Sequence, residues 1–290
     1  MSAEKKDFSP NEITETALRA LNLTFLAHEK LGALGEALVE KNQFGDTALR
    51  MDIEAEKAVI TALERAGVPI VIHSEEHGIV KLGNNPQYLG VLDGLDGSDE
   101  YKRFRGKGRY GTMLGIFSNT DPLYGDYIFQ GIMEHASKKL FYATKNQGAF
   151  MKDSQGIHPI QTSGLSNLDY NSKVYFTEAD FDRFGADKSP VVTALQGIPF
   201  TRIGSTASHY ADLVSGKVDL LIEPTRKGNL EFGAACGLVF EAKGVVSTLD
   251  GVDLRQQRFL EFGQKENFTV ISAATPELLA EVLKRTRKSE

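Results

Sequence analysis

The stretch YLGVLDGLDGSDEY, residues 88–101, decides how the rest of the chain is read. Its apolar run, Leu89, Val91 and Leu92, stops abruptly at Asp93, Gly94, Leu95, Asp96, Gly97 and Ser98. An apolar run bounded by glycines predicts a buried strand leaving the core. Two carboxylates three residues apart then stand at its exit, beside glycines suited to tight turns. Such a pair repels itself unless something positive neutralises it, and hard divalent cations held by oxygens are the usual partner. The same residues also suit a plain polar turn, because Asp-Gly is a common turn signal. An EF-hand is excluded: the twelfth position counted from Asp93 is Phe104, where that loop needs Glu.

Toward the N-terminus, VPIVI (68–72) reads as a second strand running into His73, Ser74, Glu75, Glu76 and His77, a second carboxylate pair at a strand exit. A helical pattern from about Thr47 to Arg65 precedes it and carries Asp52 and Glu56 four apart, on one face. That face could equally be a solvated acidic one. The chain's first helix opens at Ser9, Pro10 and Glu12, which supply N-cap, first-turn proline and capping-box acid. Ile13, Ala17, Leu21 and Phe25 carry its spacing on to about Glu40.

Toward the C-terminus comes a basic loop, Lys102, Arg103, Arg105, Lys107 and Arg109. It reads as a solvated run or as an electropositive rim that draws in an anion. Gly106, Gly108 and Gly111 spell a dinucleotide-binding fingerprint, but TMLGIF (112–117) after them reads as strand, where the motif needs a helix. Further strands follow in 124–133, 138–144 and 148–151, and their short links favour antiparallel pairing. Residues 152–172 are polar and weakly patterned, so the boundary between halves is placed there, as 1–160 and 161–290. The second half alternates: strands at 174–176, 200–203, 218–222 and 268–271, and helices near 178–186, 190–196, 207–215, 229–242 and after Thr275. This pattern predicts an α+β, layered α-β-α-β-α sandwich with an antiparallel sheet in the first half and a mixed one in the second.

A chain of 290 residues with net charge −6 can bury a sizeable core and lacks the basic face of a general nucleic-acid binder. Its one cysteine, Cys236, allows no internal disulfide and suits a reducing cytoplasm. No signal-peptide-like apolar segment opens the sequence, and no run approaches the ~18 apolar residues of a membrane span. The six histidines are scattered, with no His/Cys group at zinc spacing. His73 and His77 flank the acidic turn and read as structural or solvated.

Taken together, four segments resemble the inositol monophosphatase and fructose-1,6-bisphosphatase superfamily: SEE at 74–76, the Asp-x-x-Asp-Gly-Ser of 93–98, GSTASHYADLVSGKVDLLIEP at 204–224, and Glu231 followed by FGAACGLVFEAKG. The resemblance spans roughly residues 10–285. It implies a Mg²⁺-dependent phosphomonoesterase holding two to three Mg²⁺. Glu75, Asp93 and the Leu95 carbonyl would hold one ion, with Asp93 bridging to a second held by Asp96 and Glu231. A third, weaker ion would lean on Glu75 and waters. Asp52 and Ser98 would position and deprotonate the attacking water, with Glu76 close by. Gly97 and Ser98 would also bind substrate, and Gly204, Ser205, Thr206 and Glu223 would face its alcohol or sugar part. A phosphate monoester is dianionic, so a carboxylate-lined pocket repels it until cations reverse the field, acidify water and stabilise the leaving alkoxide.

The pattern departs from the inositol branch at two places. Gly94 stands where Asp-Pro-Ile-Asp-Gly-Thr has proline, and Leu230-Glu231 replaces a Trp-Asp pair. Ser98, Glu231 and SEE look more like the fructose-bisphosphatase branch, whereas the compact chain and the GSTASHY segment look more like the inositol branch. The expected substrate is therefore inositol monophosphate or fructose 1,6-bisphosphate, with a 3′-phosphoadenosine-phosphate phosphatase or a non-catalytic metal-binding relative as alternatives. The resemblance also implies a homodimer.

Overall fold

The capping box forms as the sequence predicts: Ser9 N donates to Glu12 Oε2 at 2.8 Å, and Glu12 N donates to Ser9 Oγ at 3.3 Å. It opens helix α1, Pro10–Leu31, in a computed structural model that describes residues 8–176, 190–202, 204–225 and 227–289. The helix ends at Leu31 rather than near Glu40, in a 3-10 turn at Gly32–Glu36. Gly32 and Gly35 sit in that turn, and each glycine costs a helix about 1 kcal/mol relative to alanine. Strands β1, Leu38–Lys41, and β2, Thr47–Leu49, then form an antiparallel hairpin where helix was expected on both sides. Helix α2, Arg50–Ala66, follows directly.

The strands of the first half are β3, Ile70–Ser74; β4, Gly78–Lys81; β5, Tyr88–Asp96; β6, Gly111–Phe117; β7, Tyr127–Glu134; β8, Lys139–Thr144; β9, Gly148–Asp153; and β10, Gly156–Ile160. They form one sheet in the order β10-β9-β8-β7-β6-β5-β3-β4. All neighbours pair antiparallel except β3 with β5, where Ile70 faces Tyr88 and Ser74 faces Leu92 in parallel register. Hairpin strand β4 causes this: the chain turns back along one side of β3, then crosses to its other side. The parallel register brings the ends of β3 and β5, and both carboxylate pairs, to one edge. Strand β10 lies in the stretch read as weakly structured; His158 and Pro159 interrupt its apolar run. Helix α3, Ser98–Phe104, leaves the end of β5.

The second half supplies β11, Val174–Phe176; α4, Pro190–Ala194; β12, Phe200–Arg202; α5, Thr206–Val214; β13, Leu220–Pro224; α6, Leu230–Glu241; β14, Val245–Thr248; β15, Thr269–Ala273; and α7, Pro276–Ser289. The helix expected over 178–186 lies outside the described residues. Its five-stranded sheet runs β12-β11-β13-β15-β14 and is mixed: β12, β11 and β13 are parallel, while β15 runs antiparallel to β13 and β14.

Helices α1 and α2 cover one face of the large sheet, and α6 packs on the other against β5, β6, β7 and β8. Helix α5 lies beside α6, and both touch the small sheet, whose far face is covered by α4 and α7. This is the expected five-layer α-β-α-β-α arrangement. Small side chains make the middle layer possible. Gly233, Ala234, Ala235 and Gly237 are all buried along α6, and an added Cβ on Gly115 of β6 would lie 2.3 Å from Gly233 O. Among the described residues, no helix is long and apolar enough to cross a membrane.

Candidate active site

Strand β5 bends where its acids stand. Asp93 faces Met113 of β6, but Asp96 faces Gly111, so β5 spends one more residue than its partner. Residues three apart on a regular strand point to opposite faces. The extra residue of a bulge cancels that alternation and re-aims the side chains. Oxygens of Asp93, Asp96 and Glu231 accordingly lie within 4.8 Å of one another, with all three residues buried. Glu231 arrives from the first turn of α6.

Close packing fixes the bend. Leu95 N donates to Asp93 Oδ1 at 3.0 Å, and Thr112 Oγ1 donates to Gly94 O at 2.7 Å. A Cβ on Gly94 would lie 2.3 Å from Asp52 O, so α2 presses on the bend and only glycine fits. That contact accounts for glycine where the resembled pattern has proline. Gly97 follows at φ +85° and turns the chain into α3.

Around this cluster lies a cavity of about 450 Å³. Asp52, Glu75, Glu76, Asp93, Leu95, Asp96, Gly97, Ser98, Gly204, Ser205, Thr206 and Glu231 all line it. Twelve of the thirteen expected site residues are thus brought together. Glu223 is the thirteenth and does not line the cavity; it is buried and accepts a hydrogen bond from Tyr210 Oη at 2.7 Å. Ser98 Oγ lies 3.2 Å from Asp52 Oδ1 and 3.0 Å from the Leu95 carbonyl oxygen. Leu49 N donates to the other Asp52 oxygen at 2.6 Å, which fixes the carboxylate at the start of α2. Asp96 Oδ2 accepts from Ser205 Oγ at 2.6 Å and from Ala207 N at 2.8 Å.

The β1–β2 hairpin supplies lining that the helical reading missed: Asn42, Asp46, Thr47 and Ala48. Asn42 Nδ2 donates to Glu76 Oε1 at 3.2 Å, and Gln43 Nε2 to Ser74 O at 2.6 Å. The usable signal was the segment Asn42–Asp46, NQFGD, whose asparagine, glycine and aspartate are turn formers. Of the histidines, His209 lines the cavity, whereas His73 and His77 do not. His73 packs edge-on against Phe259, and His77 Nδ1 lies 2.7 Å from Glu56 Oε2.

The basic loop separates by role. Arg109 donates to Glu134 at 2.7 and 2.9 Å and also pairs with Asp212 of α5, a tie between the two halves. Arg105 pairs with Glu36. Lys102 alone of the loop lines the cavity, and its ion pair is a 3.5 Å contact to the exposed Asp99.

Eight lining residues are acidic: Asp46, Asp52, Glu75, Glu76, Asp93, Asp96, Asp99 and Glu231. Burial pushes the Asp93 carboxyl well above its ordinary range, and the charges of Glu75, Asp96, Glu231 and Asp52 push it further. Burial raises Asp52 likewise, with Glu76 and Glu75 adding to it. Such a set is under strain until positive charge enters. Its donors are oxygens of carboxylates, a carbonyl and a hydroxyl, which suit Mg²⁺. The residues therefore fit the cation.

The Inositol monophosphatase family profile matches residues 11–285. The chain belongs to the inositol monophosphatase family. This family is metal-dependent, typically on Mg²⁺, and its members are phosphatases. The chain is 26% identical over 219 residues to a fructose-1,6-bisphosphatase/inositol-1-monophosphatase of Methanothermobacter thermautotrophicus, covering 73% of this chain and 74% of the relative. It is 25% identical over 244 residues to a bifunctional NADP phosphatase/NAD kinase of Methanocaldococcus jannaschii, covering 74% of this chain but 41% of that longer protein. The inositol monophosphatase structure from Anabaena (Nostoc) sp. PCC 7120 superposes with a TM-score of 0.73 at 19% identity, over 96% of both chains, and shares the fold.

Proposed function

We propose that this inositol monophosphatase-family chain is a Mg²⁺-dependent phosphomonoesterase. Its substrate class is small phosphorylated sugars or polyols, with inositol monophosphate and fructose 1,6-bisphosphate as the leading candidates. The observation that carries this reading is the meeting of Asp93, Asp96 and Glu231 oxygens within 4.8 Å, beside an Asp52–Ser98 pair.

In this reading Glu75, Asp93, the Leu95 carbonyl, Asp96 and Glu231 would hold two to three Mg²⁺. Cations held there would neutralise the acidic cavity, acidify water and stabilise the leaving oxygen. The protein's own groups do the rest. Ser98 Oγ and Asp52 Oδ1 orient the attacking water, and Asp52 takes its proton, with Glu76 close by. Ser205 and Ala207 N hold Asp96 in place. Gly204, Ser205 and Thr206 form the wall that meets the alcohol or sugar. Glu223, buried against Tyr210 outside the cavity lining, has no part in this scheme. Attack is in line, and no phosphoenzyme forms.

The relative named a bifunctional NADP phosphatase/NAD kinase favours a second reading, a nucleotide phosphatase. A cytoplasmic homodimer belongs to the same proposal. Phosphate release from inositol phosphates, fructose 1,6-bisphosphate, 3′-phosphoadenosine phosphates and NADP, with and without Mg²⁺, separates the readings. No release from any of them in Mg²⁺ would leave a non-catalytic metal-binding protein.

A further inference from the structure

Glu56 lies one helical turn beyond Asp52 on α2 and is completely buried. It does not line the cavity. Its carboxylate instead receives five donors from four consecutive residues. Glu75 N reaches Oε1 at 3.0 Å, Glu76 N lies 3.2 Å from both oxygens, and His77 N reaches Oε2 at 3.2 Å. The Ser74 hydroxyl and His77 Nδ1, the latter at 2.7 Å, complete the set. We propose that Glu56 is a positioning residue that, by gathering these donors behind the 74–77 turn, holds Glu75 and Glu76 in the cavity for cation binding. The proposal rests on the reading of Glu75 as a cation ligand.

The donor arithmetic explains the residue type. An ionised carboxylate offers about four lone-pair sites and no hydrogen, so it accepts from every direction. Glutamine of the same shape would turn an N–H₂ toward N–H donors on one side. Hydrogen bonds to a charged acceptor are also roughly twice as strong as neutral ones. With the backbone N–H groups of 75, 76 and 77 all aimed at Glu56, the peptide planes of the turn are fixed. The side chains of Glu75 and Glu76 then face the cavity, where Asn42 meets Glu76 from the other side. One face of α2 thus serves two purposes, Asp52 toward Ser98 and Glu56 toward the turn. Groups that orient metal-binding side chains typically matter 10–100-fold in affinity.

The test compares full-length Glu56→Gln and Glu75→Gln with the wild type by titration with Mn²⁺, read by calorimetry and by electron paramagnetic resonance. The expected result is that Glu56→Gln weakens the same Mn²⁺ site as Glu75→Gln, by ~10-fold or more. In parallel, the Mg²⁺ concentration for half-maximal activity should rise while kcat at saturating Mg²⁺ falls by less than that factor. If Glu75→Gln weakens Mn²⁺ binding and Glu56→Gln leaves it unchanged, the positioning role is overturned and the ligand reading survives. If Glu75→Gln itself binds Mn²⁺ like the wild type, the ligand reading falls and takes the proposal with it. Should Glu56→Gln lose its cooperative melt, Glu56→Asp, with a carboxylate on a shorter arm, carries the same comparison.

Discussion

Ser205 Oγ lies 2.6 Å from Asp96 Oδ2, so a residue of the second half holds a carboxylate of the first across 109 positions of sequence. Ala207 N donates to the same oxygen at 2.8 Å, at the first turn of α5. Asp96→Asn keeps the size of the side chain, and its amide oxygen can accept both bonds, but it removes the charge. It should cut turnover at least ~100-fold, more than the ~10–100-fold typical for groups that only orient a metal's ligands. The far-ultraviolet circular dichroism spectrum should not change. Retention of most activity would remove Asp96 from the cation site.

The basic loop gives two opposite expectations. Arg109→Met breaks a largely desolvated tie to Glu134 and Asp212 and should destabilise by roughly 2–3 kcal/mol, between the values for exposed and buried pairs. Urea unfolding measures that loss, and KM for any phosphate ester should stay within about twofold, since an interaction outside the cavity contributes nothing to substrate binding.

Lys102 behaves the other way. Its ion pair with Asp99 is exposed and contributes little to stability. Lys102→Glu should leave the unfolding midpoint unchanged and raise KM for fructose 1,6-bisphosphate more than for inositol monophosphate, because the bisphosphate brings a second anion. An equal effect on both substrates would show that Lys102 meets the reacting phosphate.

Mg²⁺ should stabilise the protein, and more so at higher pH. The Asp93 carboxyl is held well above its ordinary range in the folded state. As pH rises above the ordinary carboxylate range, the unfolded chain releases this proton before the folded one does, so the cation-free fold loses stability. A bound cation reverses that penalty and displaces the proton. The melting temperature should therefore rise more with Mg²⁺ at pH 8 than at pH 5. A shift of equal size at both values would uncouple Asp93 from cation binding.

His135 sets an opposing acid limit. It is buried against the ring of His28, with centroids 5.1 Å apart, and burial lowers its pKa to about 3. Between its ordinary value of 6.5 and about 3, the unfolded chain takes up a proton that the folded chain refuses. Stability attached to this group is whole above pH 6.5 and falls by up to ~1.4 kcal/mol per pH unit below it. His135→Gln should flatten the pH dependence of urea unfolding between pH 6.5 and 5. An unchanged slope would contradict the assignment.

Much of this was legible in the residues. The capping box at Ser9, the buried run ending at Asp93 and the alternation after 174 lead to the observed layers. Legible too were the residues that meet in the cavity, since four short acidic or glycine-rich segments in the right order resembled one family. What stayed hidden depended on partners distant in sequence. The β1–β2 hairpin has little apolar pattern because it leans on the Ser74–Glu76 turn through Asn42 and Gln43. The parallel pairing of β3 with β5 follows from strand β4, whose half-exposed residues barely signal a strand. Arg109 and Lys102 look alike in the text and differ because Glu134 and Asp212 stand beside only one of them. Glu56 looked like a surface acid on a helix until the 74–77 turn was seen to close over it.

The bulge in β5 has a consequence for how such a site can be lost. Substitutions along 93–96 alter one group at a time, and the backbone still delivers its neighbours to the same side. Regular pleating over the same three-residue spacing would instead send the two acids to opposite faces of the sheet. A change that straightened the strand would therefore disperse the cluster with every acidic residue still present.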